Sequence, residues 1–432
     1  MTRSRKILKR LESLHPKQID LSLERINLLL NKLGNPENKL PKTIHIAGTN
    51  GKGSTLAFLR SMLEEDNYKV DVYTSPHLIN FNERIRINSR IISDNYLSEL
   101  LEECEFFNKK LPITFFEITT AAAYLAFSRG NSDFLLLETG LGGRFDATNV
   151  IPKSICNVIT PISMDHMSFL GNSIELITNE KIGIFKKNVP AVISKQENVA
   201  MDIIQKEAKN KHIPLFTFGL DWDIENIDYH KKKFTYNFGG KIEKVSFPNL
   251  YGEHQILNAS TAISVMKVIK KNNHIKNILT NAVTQTSWPA RMQQLKNGKL
   301  NNIVGEKFEI WLDGGHNYHA SEMLYQNLKK WKNYDLFLVF GMIKSKDPYN
   351  YLNNVIDKVT NIQVVPIQEQ SFIEPDTIIK NLKTNNCKII KSKGIDDSLS
   401  NIKEKYDSGK IIICGSLYLA GEVLKKNNFD IN

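Results

Sequence analysis

The chain has 432 residues, 41% hydrophobic and 24% charged, with a formal net charge of +11; that length predicts two domains, and the composition is that of a soluble globular protein. No run of about 18 consecutive apolar residues occurs, which excludes a membrane-spanning helix. The four cysteines (Cys104, Cys156, Cys387 and Cys414) lie far apart without a C-x-x-C pair, which argues against a disulfide framework or zinc site and points to the cytoplasm.

Met1 to Arg10 is basic but lacks the apolar core of a signal peptide. Ile19, Leu23, Ile26, Leu30 and Leu33 share one helical face, so a helix is expected over 19–33, stopped by Gly34, Asn35 and Pro36. A strand follows at 43–47 and runs directly into a glycine loop, then a helix at 55–65 and a strand at 69–73. Further buried strands are expected at 133–137, 155–159 and 190–194 with helices between, which describes a parallel α/β sheet covered on both faces.

From about 217 to 247 the texture changes. Phe234, Tyr236 and Phe238 alternate and Gly239-Gly240 offers a hairpin turn, so a small antiparallel β insertion is expected. The α/β rhythm then restarts with strands near 308–312, 335–340, 362–366, 388–390 and 411–414. The boundary falls in the polar stretch between about Arg291 and Asn302, dividing the chain into 1–295 and 296–432. Lys and Arg are spread along the whole chain with no aromatic-rich basic face, so no nucleic-acid partner is predicted.

The loop Gly48-Thr49-Asn50-Gly51-Lys52-Gly53-Ser54 carries the chemistry. Amides of a glycine loop at a helix start converge on an anion, and Lys52 adds a mobile charge for the β and γ phosphates. General phosphate-loop spacing is not met, because Gly48 and Gly51 are separated by only two residues and Gly53 intervenes before Ser54. Together with Ile44-His45-Ile46-Ala47, the segment resembles the folylpolyglutamate synthase/dihydrofolate synthase family, a branch of the Mur ligases. Gly-Thr-Asn-Gly-Lys is shared by all Mur ligases, and the extra glycine before the serine is typical of the folate branch.

The resemblance implies a P-loop-containing Mur ligase-type parallel-sheet domain followed by a smaller Rossmann-like α/β domain. It implies an ADP-forming ligase with ATP as co-substrate and two Mg²⁺ sites. Asn50, Gly51, Lys52, Gly53 and Ser54 are then ATP contacts. Glu138 ends an apolar strand, where an acid points into the ligand crevice of a parallel sheet. Its following run Thr139 to Asn149 is similar to the family's most specific signature, which makes Glu138 a Mg²⁺ ligand. Ser75, in Thr74-Ser75-Pro76-His77-Leu78, matches a second ligand of that ion. His166 matches a ligand of the second ion, and Lys181 matches a lysine that carries a carbamate in the family. Forming that carbamate needs a neutral amine, hence a lowered pKa.

Asn258 resembles an adenine-side contact, and Arg291 and Asp313 match nucleotide ligands. Two departures stand beside them. Ala290 occupies a position where relatives carry Gly, tolerable if the site needs no positive φ, and Gly315 and Tyr318 differ from the usual Asp-Gly-Ala-His-Asn-Pro. His316 is placed to meet the γ-phosphate or acyl phosphate. Lys52, His166, Lys181 and His316 thus form the expected catalytic set. Lys346-Asp347 and Gly415 to Tyr418 are later matches, the second a strand-to-helix turn.

Thr114-Phe115-Phe116-Glu117 precedes a helix expected from about 118 to 128. The aromatics and acid suit a pterin, ahead of the alternative of an apolar helix entry with an acid at its positive end. In bifunctional relatives this segment, with Phe145, Asp146 and Ala147, contacts dihydropteroate. The expectation is therefore glutamate addition to dihydropteroate and then to tetrahydrofolate, by a cytoplasmic monomer with L-glutamate as the third substrate and no membrane partner. A Mur ligase acting on a UDP-linked peptide would carry a UDP-binding domain ahead of the loop, and the loop begins at Gly48.

Overall fold

The computed structural model describes residues 2–15, 17, 19–270, 276–368, 371–382 and 387–431. The chain folds as two compact units, Met1–Asn249 with Gln255–Ser287, and Leu250–His254 with Trp288–Ile431.

The first unit is built on eight strands: Lys42–Ala47 (β1), Val70–Tyr73 (β2), Ile85–Ile87 (β3), Arg90–Ile91 (β4), Phe134–Glu138 (β5), Cys156–Ile159 (β6), Ala191–Ile193 (β7) and Leu215–Thr217 (β8). Their order is β4-β3-β2-β5-β1-β6-β7-β8. Strands β2 and β5 to β8 run parallel around β1, and β3 and β4 add an antiparallel edge. Every residue of β5 is buried, as expected of a parallel strand covered on both faces. One face packs Leu135 and Leu137 with the helices Arg3–Leu11, Glu24–Lys32, Asp94–Asn108 and Phe115–Ser128. Another cluster joins Ala47, Ile159 and Ile193 to the helices Ile174–Lys181 and Asn198–Lys211.

Three local readings change. The helix expected over 19–33 begins only at Glu24. Arg25 holds the preceding chain in another shape: its Nη2 donates to the Asp20 carbonyl at 2.7 Å and its Nη1 to Asp20 Oδ2 at 3.0 Å. The helix after the phosphate loop starts at Lys52 rather than Thr55, because the first helical bond already runs from Thr55 N to Gly51 O at 2.8 Å. The helix expected from 118 starts at Phe115, with Thr114 as its cap. The hairpin β3–β4 was not signalled by sequence, its strands being three and two residues long.

The insertion is a three-stranded antiparallel sheet of Trp222–Asp228 (β9), Lys233–Phe238 (β10) and Lys241–Ser246 (β11). It turns through Gly239 and Gly240, and Phe234 and Tyr236 face inward. Tyr236 Oη lies 2.8 Å from Ser264 Oγ, tying the insertion to the helix Glu253–Lys270.

The second unit holds Gln293–Leu295 (β12), Phe308–Leu312 (β13), Leu336–Phe340 (β14), Asn361–Val364 (β15), Lys388–Lys391 (β16) and Gly409–Cys414 (β17), in the order β12-β13-β17-β14-β15-β16. All neighbours are parallel except β12, which pairs antiparallel with β13. Leu338, Phe340, Ile362, Val364 and Ile412 form its core with Leu324 and Leu328 of the helix Tyr318–Lys330.

Candidate active site

In the first unit, four adjacent strands in the order β2-β5-β1-β6 bring their carboxyl ends to one edge, where open α/β sheets bind ligands. Ser75 follows β2, Glu138 ends β5, the phosphate loop leaves β1, and the segment reaching Asp165 and His166 leaves β6. Residues dispersed over the first 181 positions are thereby gathered.

The phosphate loop is braced by its neighbour after β6. The amides of Thr49 and Asn50 donate to the Pro161 carbonyl at 3.0 and 3.3 Å. Thr49 and Ser163 exchange bonds in both directions at 3.0 Å, and Asn50 Nδ2 reaches Ser163 Oγ at 3.4 Å. Gly51 has φ +87, and a Cβ there would stand 2.5 Å from Asn258 Oδ1, so glycine admits both the turn and the approach of Asn258. The first helical amides, those of Lys52, Gly53 and Ser54, begin the helix here, where its positive end favours an anion.

Two ammonium groups converge on one carbonyl. Lys52 Nζ donates to Gly48 O at 3.0 Å and to Thr49 O at 3.2 Å, and the buried Lys181 Nζ donates to the same Gly48 O at 2.9 Å. Lys181 ends the helix Ile174–Lys181, whose last carbonyls meet the glycine run after β5: Arg144 N donates to Glu180 O at 2.7 Å. A Cβ on Gly143 would lie 2.6 Å from Lys181 O, so that approach requires glycine.

Ser75 N donates to the buried Glu138 at 3.3 Å, standing a carboxylate and a hydroxyl-bearing residue side by side. Such oxygen donors fit Mg²⁺, which is held by one or two carboxylates with water and phosphate completing the shell. His166 takes a left-handed backbone, φ +51, with its amide on Asp165 Oδ1 at 2.8 Å and its Nε2 3.8 Å from Asp165 Oδ2. An ammonium donates and cannot ligate a cation, so His166 and Lys181 fit a metal together only once Lys181 carries a carboxylate. Among the described residues no three His, Cys, Asp or Glu side chains are grouped to hold a metal.

The acceptor segments are also placed. Thr114 and Glu117 form a reciprocal cap, Glu117 N to Thr114 Oγ1 at 3.2 Å and Thr114 N to Glu117 Oε2 at 2.7 Å. Glu117 is buried and pairs with Arg25 at 3.0 Å. Its structural role at the helix entry is thus real, and its Oε1 has no hydrogen-bond partner among the described residues. The Phe116 ring lies against Gly140, and Phe115 meets Phe81 edge-on at 5.7 Å. Asp146 is buried and turned inward to its own loop, accepting from Leu141 N at 2.8 Å and Thr148 N at 3.0 Å, while burial raises its pKa against the pull of these bonds. Ala147 is buried and Phe145 is 44% exposed.

In the second unit, Asp313 is buried and accepts from Met292 N at 2.9 Å and Gly315 N at 2.8 Å. Burial raises its pKa, and the nearby Arg291 charge opposes the rise. Arg291 Nη1 donates to the Ala290 carbonyl at 2.9 Å, and His316 Nδ1 lies 3.1 Å from Gly314 O. Ala290 has φ +58, so the condition under which its departure is harmless is not met: an L residue holds a conformation that favours glycine. Asn317 caps the helix Tyr318–Lys330, Asp347 the helix Pro348–Asn353, and Ser416 the helix Leu417–Lys426.

The chain matches the Mur ligase middle domain over residues 46–266 and the dihydrofolate synthetase C-terminal domain over 293–426. It is 35% identical over 421 residues to the dihydrofolate synthase/folylpolyglutamate synthase of Bacillus subtilis, covering 94% of each chain. The chain belongs to the dihydrofolate synthase/folylpolyglutamate synthase family of Mur ligases. Among solved members of that family, Escherichia coli FolC in complex with DHPP and ADP superposes with a TM-score of 0.86 at 28% identity, covering 98% of this chain and 97% of that one. A bifunctional folylpolyglutamate synthase/dihydrofolate synthase with Mn, AMPPNP and L-glutamate bound superposes with a TM-score of 0.84 at 26% identity, over 98% and 97%. Among the described residues no helix is long and apolar enough to cross a membrane.

The braces Thr49–Ser163 and Asn50–Ser163 and the meeting of Lys181 with Gly48 carry no sequence signal, because partners 113, 114 and 133 residues apart follow no spacing rule.

Proposed function

We propose that this ADP-forming ligase joins L-glutamate to dihydropteroate and adds further glutamates to tetrahydrofolate, through an acyl phosphate. The observation that carries the reading is the convergence of Lys52 and Lys181 on Gly48 O, one strand from the Ser75–Glu138 pair, within a Mur ligase frame.

The acceptor carboxylate oxygen attacks the γ-phosphorus of ATP. The new O–P bond forms as the bond to the β-phosphate oxygen breaks, and ADP leaves. The amine of glutamate then attacks the acyl carbon; the C–N bond forms, the C–O bond breaks and phosphate leaves, while the amine's proton passes to solvent. The amides of Gly51 to Ser54 and the Lys52 ammonium hold the phosphates and oppose their charge. Asn258, beside Gly51, is the adenine-side contact of this reading, and Arg291 and Asp313 are its nucleotide ligands. His316 attends the transferred phosphoryl group. Positioning and charge stabilisation supply most of the catalysis, without a covalent enzyme intermediate. Ser75 and Glu138 would hold one Mg²⁺, and His166 with a carbamylated Lys181 a second, and the bound ions would supply Lewis-acid charge neutralisation on the phosphates. Thr114 to Glu117 and Phe145 to Ala147 seat the acceptor.

The phosphate loop lies in the first unit, and the second unit is read as the glutamate ligase domain. Cys104, Cys156, Cys387 and Cys414 are free and buried, in keeping with a cytoplasmic enzyme, and the protein acts as a monomer. Release of ADP with dihydropteroate and glutamate, compared with tetrahydrofolate and glutamate, tests the reading. Release with both pairs is expected. Release with tetrahydrofolate alone reduces the activity to polyglutamylation, and background rates with both overturn it.

A further inference from the structure

His45 lies in the middle of β1, the strand that feeds the phosphate loop, opposite Leu137 of β5 and Asn157 of β6. Its side chain is fully buried, with Nε2 2.9 Å from Thr148 Oγ1. That hydroxyl is in turn 2.5 Å from Asp146 Oδ1. An ionised carboxylate only accepts, so the Thr148 proton goes to Asp146 and the hydroxyl oxygen accepts from His45. The imidazole is therefore the Nε2–H tautomer. Its Nδ1 is buried without a partner among the described residues, and a proton placed there would be desolvated with nothing to receive it. Burial, aided by the Lys186 charge, lowers the pKa of His45 to about 3.

Thr148 is gripped from three directions. His45 holds its hydroxyl, Asp146 holds its amide at 3.0 Å, and Tyr124 Oη donates to its carbonyl at 2.8 Å. Tyr124 belongs to the helix that opens with Phe115 and Phe116, and Asp146 shapes the glycine run through Leu141 N. One buried relay thus joins the strand of the phosphate loop, the aromatic helix entry and the loop 140–147.

We propose that His45 is a positioning residue for the acceptor substrate: through Thr148 and Asp146 it sets the loop that presents the acceptor carboxylate to the phosphate. The proposal rests on the assignment of that loop to acceptor binding made above. Steady-state ADP release is measured for wild type, His45→Leu, His45→Gln, Thr148→Val and the His45→Leu/Thr148→Val double variant, alongside calorimetric ADP binding. His45→Leu and Thr148→Val each raise KM for dihydropteroate about tenfold, with kcat, KM for ATP and ADP affinity within about twofold of wild type. His45→Gln, which keeps a donor near the Nε2 position, recovers most of the loss. The double variant is no worse than either single one, as members of one relay require. Unchanged dihydropteroate KM in Thr148→Val, equal damage to ATP and dihydropteroate parameters, or a His45→Gln no better than His45→Leu each overturns the proposal. Wild type that releases no ADP with dihydropteroate defeats the functional reading as well, so the two failures are told apart by the wild-type rate.

Discussion

Lys181 Nζ donates to the carbonyl of Gly48 at 2.9 Å, joining residues 133 positions apart. The contact places a buried lysine at the root of the phosphate loop, beside Lys52, which binds the same oxygen at 3.0 Å. In this reading Lys52 keeps its positive charge for the anion, whereas carbamylation turns Lys181 into an anionic oxygen donor at the same place.

Lys181→Ala is expected to lower the rate of ADP release by about 100-fold or more, the scale of losing a metal-site ligand. Added formate or acetate partly restores the rate by replacing the missing carboxylate. A fully active Lys181→Ala enzyme refutes the assignment of Lys181.

Glu138→Gln removes the carboxylate charge at the end of β5 while keeping its volume. The concentration of Mg²⁺ for half-maximal activity should rise at least about tenfold. Titration of activity with Mg²⁺ decides the matter, and an unaltered midpoint counts against Glu138 as a ligand.

Ala290 at φ +58 is strained. An L residue in the left-handed region costs about 1–2 kcal/mol, whereas glycine loosens the unfolded chain by about 0.4–1 kcal/mol. Ala290→Gly therefore gains a net stability between about 0 and 1.6 kcal/mol, and Ala290→Val loses stability. Urea unfolding of the three proteins gives the order Gly, Ala, Val; a valine variant as stable as wild type contradicts the strain.

Acid should weaken the first unit through His45. Its pKa falls from 6.5 to about 3 on folding, so between those values the unfolded chain binds a proton that the folded one refuses. Stability from this group is intact above pH 6.5 and drains away as pH falls toward 3. Moving from pH 7.5 to pH 5 costs wild type about 2 kcal/mol from this group. His45→Gln lacks the titration, so its stability difference from wild type should narrow over the same interval. A difference that holds constant from pH 7.5 to 5 would disprove the buried neutral imidazole.

Legibility in the sequence followed the range of the interactions. Apolar runs and glycine punctuation are local, so β1, β5 and β6 and the hairpin turning at Gly239-Gly240 were readable within a residue or two, whereas the insertion's first strand starts at Trp222 and not near 217. Expectation failed where a distant partner intervened: Arg25 holds the Asp20 carbonyl and delays the helix to Glu24. At Glu117, sequence favoured a pterin contact over a helix entry. The structure shows the entry role, through the reciprocal cap with Thr114 and the pair with Arg25.

By itself the sequence determined the kinds of element, the glycine loop at a strand-to-helix junction and the residue types of an anion-binding and metal-binding chemistry, because each is written within a few consecutive positions. Only the tertiary structure decided that Ser75 meets Glu138, that Thr49 clasps Ser163 and that Lys181 reaches Gly48. Those meetings follow from the strand order β2-β5-β1-β6: parallel pairing needs long crossovers, and it lays side by side strand ends that the chain itself keeps far apart.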